Sequence, residues 1–168
     1  VYNAPMMVTK IEDKYGNVLA NFYPESREVI TENTAFLMAN LLQGVVDEGT
    51  GRRLRFRYGF KNQIGGKTGT TQNHSDGWFI GITPDLAGGV WVGAEDRSIH
   101  FQNLANGQGA SMALPIWALF MQKVYADKSL AVPQSDFQKP NGVNHVLDCG
   151  DADREGMTDY DSSDEIFD

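Results

Sequence analysis

Apolar and polar positions change period several times along the chain. Met6 to Ile11 and Val18 to Phe22 are two short β-prone runs around the polar stretch Glu12-Asp13-Lys14-Tyr15-Gly16-Asn17, which reads as a hairpin turn. Tyr23-Pro24-Glu25-Ser26 interrupts the sheet pattern. From Thr31 the period lengthens. Thr31 is a suitable helix cap, and Leu37, Met38, Leu41, Leu42, Val45 and Val46 recur every three to four residues behind it. Asp47-Glu48-Gly49-Thr50-Gly51 stops that helix with glycine.

Arg52, Arg53, Arg55, Arg57 and Lys61 then interleave with Leu54, Phe56, Tyr58 and Phe60. This is either a strand or loop with a solvated basic side, or a positive rim beside an anionic ligand. Three strands are expected next, Gln63 to Thr71, Gly77 to Thr83 and Gly89 to Ala94, with Thr83-Pro84-Asp85 as a turn. No helix fits between them, so they form an antiparallel meander. Gly109 to Ala126 reads as a helix with Met112, Ile116, Leu119, Phe120 and Val124 on one stripe, and Pro115 near its start. Hairpin, helix, three strands and helix make an α+β fold, an antiparallel sheet flanked by helices.

Composition sharpens the boundaries. The chain has 168 residues, one ordinary domain, and 41% of them are hydrophobic. No apolar run of membrane-spanning length and no leader pattern is visible. The chain enters a strand-like run almost at once, which leads us to expect further polypeptide upstream. The net charge of −8 is unevenly placed. Of 22 acids and 14 bases, nine acids and Arg154 lie from Asp148 onward, leaving thirteen of each before it. Residues 1–132 therefore read as a neutral folded domain. Residues 133–168 read as an acidic, disordered tail holding the lone Cys149. Neither part favours a nucleic-acid partner or contact with a membrane.

The candidate chemistry lies in Gly65-Gly66-Lys67-Thr68-Gly69-Thr70-Thr71. Gly66-Lys67-Thr68 matches the end of a phosphate-binding loop, but that motif needs a glycine where Lys61 stands, and it must open a helix. The other reading is a cleft-lining strand that presents main-chain groups to an extended peptide. Lys67 supplies positive charge for a ligand carboxylate. Thr68 and Thr70, two apart, share a face and offer hydroxyls to it. Gly69 allows close backbone approach, and the Thr70 N–H can stabilise an oxyanion.

The surroundings add specificity. Gly-Lys-Thr-Gly-Thr-Thr at 66–71, then Asp76-Gly77-Trp78-Phe79-Ile80-Gly81 and Trp91-Val92-Gly93, resemble the transpeptidase domain of class A penicillin-binding proteins. So do Leu42-Gln43-Gly44-Val45-Val46 with Gly49-Thr50-Gly51, and Gly109-Ala110-Ser111 with Pro115-Ile116-Trp117. The resemblance runs from about residue 1 to 126. It implies the C-terminal lobe of a penicillin-binding or serine β-lactamase-like fold. The activity it implies is serine acyl transfer between peptidoglycan stem peptides ending in D-Ala-D-Ala, inhibited by β-lactams and needing no cofactor. The implied location is the outer, periplasmic or extracellular, face of the bacterial cytoplasmic membrane, with an anchor upstream. Lys67 and the Thr70 N–H would be catalytic, and Lys67, Thr68, Gly69 and Thr70 would bind substrate.

The family pattern is incomplete here. Ser-x-x-Lys supplies the nucleophile and Ser-x-Asn a second proton-handling element. None of the serines at 26, 75, 98, 111, 129, 135, 162 and 163 has lysine three on or asparagine two on. The chain thus holds no nucleophile, and the missing N-terminal part of the polypeptide would be its partner. Tyr15-Gly16-Asn17 matches a tyrosine variant of the second motif but sits in a turn. A β-lactamase, and a non-catalytic β-lactam sensor or peptide-binding module, are the alternatives.

Three further groups have plain readings. His74, Ser75 and Asp76 are adjacent, and adjacent residues do not converge as a triad must, so they read as turn residues. Trp91 and Trp117 read as core, as do Trp78 and Phe79, for which a place bordering the cleft is the alternative. His100 and His145 lack companions at ligand spacing, so no metal site is expected.

Overall fold

A computed structural model of the chain describes residues 1–143. Two small two-stranded sheets open it. β1 (Tyr2–Asn3) pairs antiparallel with β4 (Ser26–Arg27), and β2 (Lys10–Glu12) with β3 (Val18–Asn21). The turn between β2 and β3 closes on Asp13, whose carboxylate accepts from the Tyr15 and Asn17 N–H groups and from Asn17 Nδ2. These bonds, that from the Asn17 side chain foremost, hold the Asp13 carboxyl below its ordinary range.

α1 (Glu32–Asp47) starts where Thr31 Oγ1 accepts from the Thr34 N–H at 3.2 Å. It packs along β5 (Gly65–Thr70), the first strand of the main sheet. Val46 is fully buried, whereas Met38 and Leu41 on the expected stripe remain about half exposed. The basic stretch forms neither strand nor plain loop. It contains a short helix, α2 (Arg53–Phe56), because Leu54 is drawn into the core and its neighbours turn around it.

The main sheet runs in order β5-β6-β7, antiparallel throughout, with β6 at Gly77–Ile82 and β7 at Ala87–Val92. Register pairs Thr68 with Phe79, Thr70 with Gly77 and Trp78 with Trp91. Three helices follow: α3 (Leu104–Gly107), α4 (Gly109–Met112) and α5 (Leu114–Ala126). The single helix expected over 109–126 is thus broken at Ala113. Pro115 lacks the N–H that would carry the ladder through its second position.

The core lies between the Phe79 face of the sheet and α5. Trp117 is its centre: buried, edge-on to Phe79 at 5.4 Å, tilted on Phe60 at 6.1 Å, and donating its indole N–H to Gly88 O at 3.1 Å. Trp117 lies so close to β6 that a Cβ on Gly81 would stand 2.4 Å from its ring. Asn62 Nδ2 donates to the Tyr125 hydroxyl at 3.0 Å, fixing the entry to β5 against α5. Burial pushes the Tyr125 phenol above its ordinary pKa, partly offset by that bond.

One core expectation needs correction. Trp78 and Trp91 are cross-strand partners on the opposite face, 45% and 47% exposed, beside a half-exposed Ile80. Alternation puts them there: in a strand, the neighbours of buried Phe79 must point the other way. The segment 133–143 forms neither helix nor strand, yet it does not hang free of the domain. The Phe137 N–H donates to Gln63 Oε1 at 2.8 Å, and residues Phe137 to Asn141 line a groove with Glu32, Phe36 and Ala39 of α1. The rest of the acidic tail, with Cys149 and His145, lies outside the described residues.

Gly81→Ala should lower unfolding free energy by about 1–3 kcal/mol through overpacking against Trp117. Gly89→Ala, whose new methyl would meet its neighbours at ordinary contact distance, should be close to neutral. Urea denaturation of the two variants side by side checks the difference.

Candidate functional site

Among the described residues β5 is the outer strand of its sheet, hydrogen-bonded to β6 only. Its alternation can be read from the turn beyond it, where the Thr71 N–H donates to Asp76 O at 3.0 Å. Counting back in twos through an unbroken register, Gly69 and Lys67 direct their main-chain N–H and C=O at β6. The main-chain groups of Thr68 and Thr70 therefore point away, to the open edge.

The side chains of the strand flank that edge from both faces. Thr68 and Thr70 lie on the same face as their partners Phe79 and Gly77. Lys67 leaves from the opposite face, and its ammonium bends over the edge to donate to Thr68 O at 2.7 Å. It is exposed. One ammonium, two hydroxyls and an outward N–H at Thr70 thus share one open edge. Gly69 completes the strand, half-buried between the two threonines.

Neither threonine hydroxyl is alone. The Gly109 N–H, at the start of α4, donates to Thr70 Oγ1 at 3.0 Å. α4 lies against the sheet so closely that a Cβ on Gly109 would stand 2.4 Å from both Gly69 O and Trp78 O. The Thr50 hydroxyl, in the turn after α1, sits 2.9 Å from Thr68 Oγ1. Sequence reasoning used Thr50 and Gly109 only as parts of a pattern. The available signal was glycine on both sides of Thr50, marking a tight turn.

The basic residues have structural partners. Arg53 Nη1 donates to Ala110 O and Ser111 Oγ, both at 2.9 Å, and so ties α2 to α4. Arg55 pairs with Asp47 at 2.6 Å and donates to the carbonyls of Phe60 and Asn62. The positive-rim reading of these two arginines is thereby replaced by a bracing one.

The His74-Ser75-Asp76 turn is a network, but not a triad. Asp76 Oδ2 accepts from Ser75 Oγ at 3.0 Å and Thr71 Oγ1 at 3.2 Å, and its Oδ1 accepts from the Trp91 indole at 3.2 Å. Arg97 lies 3.9 Å away in solvent. His74 makes no bond to Ser75. Its Nδ1 is buried without a partner among the described residues, and both Asn73 and His74 adopt positive φ. Asn17 is spent on Asp13 in the β2–β3 turn, which answers the Tyr-x-Asn match. Among the described residues no cluster of His, Cys, Asp and Glu could hold a metal ion.

Residues 1–111 match the family described as penicillin binding protein transpeptidase domain. The chain belongs to this transpeptidase family. It is 35% identical over 136 residues to penicillin-binding protein 1A of Aquifex aeolicus, a match covering 81% of the chain and 17% of that protein. It is 36% identical over 125 residues to penicillin-binding protein 1A of Pseudomonas aeruginosa, covering 73% and 14%. The chain thus spans under a fifth of the length of these relatives. The crystal structure of penicillin-binding protein 1A from Haemophilus influenzae superposes with a TM-score of 0.67 at 24% identity, over 83% of the chain and 25% of that structure. The fold is therefore the α+β transpeptidase fold, and the chain is a transpeptidase segment resembling class A penicillin-binding proteins.

Asp76→Ala would strip the acceptor from three donors, Thr71 and Ser75 in the β5–β6 turn and Trp91 in β7. Unfolding free energy should fall by about 1–3 kcal/mol, measured by denaturant titration.

Proposed function

We propose that this chain is the part of a peptidoglycan D,D-transpeptidase that holds the donor peptide, and that β-lactams occupy the same edge. The observation carrying this reading is the edge of β5, where Lys67, Thr68 and Thr70 converge beside outward main-chain groups. An extended peptide ending in a carboxylate is the ligand such an edge suits. Strand addition supplies backbone bonds, and the ammonium and hydroxyls take the terminal charge.

The reaction is acyl transfer. A serine Oγ attacks the penultimate D-Ala carbonyl, the C–N bond breaks, and terminal D-Ala leaves with the proton on its amine. An amine of a neighbouring stem peptide then attacks the ester, the new amide forms, and the serine recovers its proton. In this scheme the Thr70 N–H donates to the oxyanion, while Lys67 holds positive charge beside the carboxylate. The serine and its lysine belong to the part of the protein outside this chain. Supporting that division, the sheet carries Trp78, Ile80 and Trp91 half-exposed on one face, and β7 pairs only with β6 among the described residues. Those surfaces suit the remainder of the domain. No helix among the described residues is long and apolar enough to cross a membrane. Action at the outer face of the cytoplasmic membrane would rely on an anchor elsewhere in the protein.

In the full-length protein, Lys67→Ala should slow acylation by a fluorescent penicillin about ten- to a hundredfold, since a charge-assisted bond is lost. Thr70→Val should cost less, because the backbone donor survives. His74→Ala and Ser75→Ala should stay near wild type. Loss of acylation in Ser75→Ala with retention in Lys67→Ala would overturn the reading. The 168-residue chain alone should show no covalent adduct by intact-mass analysis.

A further inference from the structure

A threonine hydroxyl has one proton to give and two lone pairs to accept with. At Thr70 one of those lone pairs already receives the Gly109 N–H, a group that can only donate. The Thr70 proton is thereby left for a partner on the open side. Thr68 faces a different neighbour, the hydroxyl of Thr50 at 2.9 Å. Two hydroxyls in contact use one proton between them and keep one free. When an anion stands at the edge, the arrangement that uses every donor is a chain: Thr50 O–H to Thr68 Oγ, and Thr68 O–H to the anion. Each bond in such a chain polarises the next.

Thr50 stands on a fixed base. The Gly51 N–H donates to Val45 O at 2.8 Å, Arg52 N–H to Gly49 O at 3.2 Å, and Leu54 N–H to Gly51 O at 2.9 Å. Gly51 and Leu54 are buried, so the turn is anchored in the core although Thr50 itself is exposed. No other hydrogen bond to the Thr50 hydroxyl is present among the described residues.

We infer that Thr50 is a positioning residue for carboxylate selectivity: acting through Thr68, as Gly109 acts through Thr70, it makes the β5 edge an outward-donating pair that accepts a carboxylate and discriminates against its uncharged ester. This rests on the reading of β5 as the carboxylate-binding strand. A role that was only structural would affect acid and ester ligands alike.

The test measures second-order acylation of the full-length protein by a penicillin and by its methyl ester. Thr50→Val, which keeps the shape and loses the proton, should slow the acid about three- to tenfold and leave the ester within about twofold. Thr50→Ser should restore the acid rate. Thr68→Val should show the same selective loss, and the double variant should be no slower than Thr68→Val alone. Equal losses for acid and ester, an unaffected acid rate in Thr50→Val, or additive losses in the double variant would each overturn the inference. Lys67→Ala separates the two levels. If it loses acylation while Thr50→Val does not, only the role of Thr50 fails. If Lys67→Ala acylates normally, the reading of β5 fails with it.

Discussion

Among the described residues β5 has a strand on one side only, and the candidate site depends on that asymmetry. An antiparallel strand spends every second pair of main-chain groups on its neighbour and turns the others away. At the edge of a sheet those others stay available, a hazard for most proteins and a binding device for some. Here the outward groups belong to Thr68 and Thr70, whose hydroxyls meet Thr50 and the Gly109 N–H beside that strand. Had the register slipped by one, Lys67 and Gly69 would hold the outward positions and the hydroxyls would point to the other face.

Such an edge must be kept straight and at a fixed height. The sheet below it rests on Trp117, which fills the space left by Gly81 and anchors to Gly88 O. α4 presses against the far end of β5 through Gly109, and Arg53 fastens α4 to the turn that carries Thr50. The same packing that stabilises the core therefore sets the two neighbours of the threonine hydroxyls. Stability and site geometry are coupled through helices that themselves carry little chemistry.

Much of this was legible in the residues. The threonine cap, the apolar spacing of α1 and the close succession of three strands signalled the elements, because each depends on local chemistry. Lys67 through Thr70 could be placed on a strand because no helix follows them. What sequence reasoning missed depends on contacts distant in the chain. Trp91 reads as core by residue type, yet strand parity places it outside, where it reaches Asp76. Arg53 and Arg55 read as solvated charge, but their partners lie at Ala110 and Ser111 or on carbonyls beyond the next turn. Thr50 carries no motif chemistry of its own, so only its distance to Thr68 reveals it. The opening residues of the tail dock through one main-chain bond to Gln63, which composition does not encode.

The outward main-chain groups of β5 offer the most direct measurement. Amide hydrogen exchange can be followed in the full-length protein before and after acylation by a β-lactam. If the edge of β5 receives the ligand, the Thr70 amide should exchange at least about tenfold more slowly in the acylated protein, with little change at His74 to Asp76. Unchanged exchange at Thr70, with protection appearing at the His74–Asp76 turn instead, would contradict the assignment of β5 as the substrate strand.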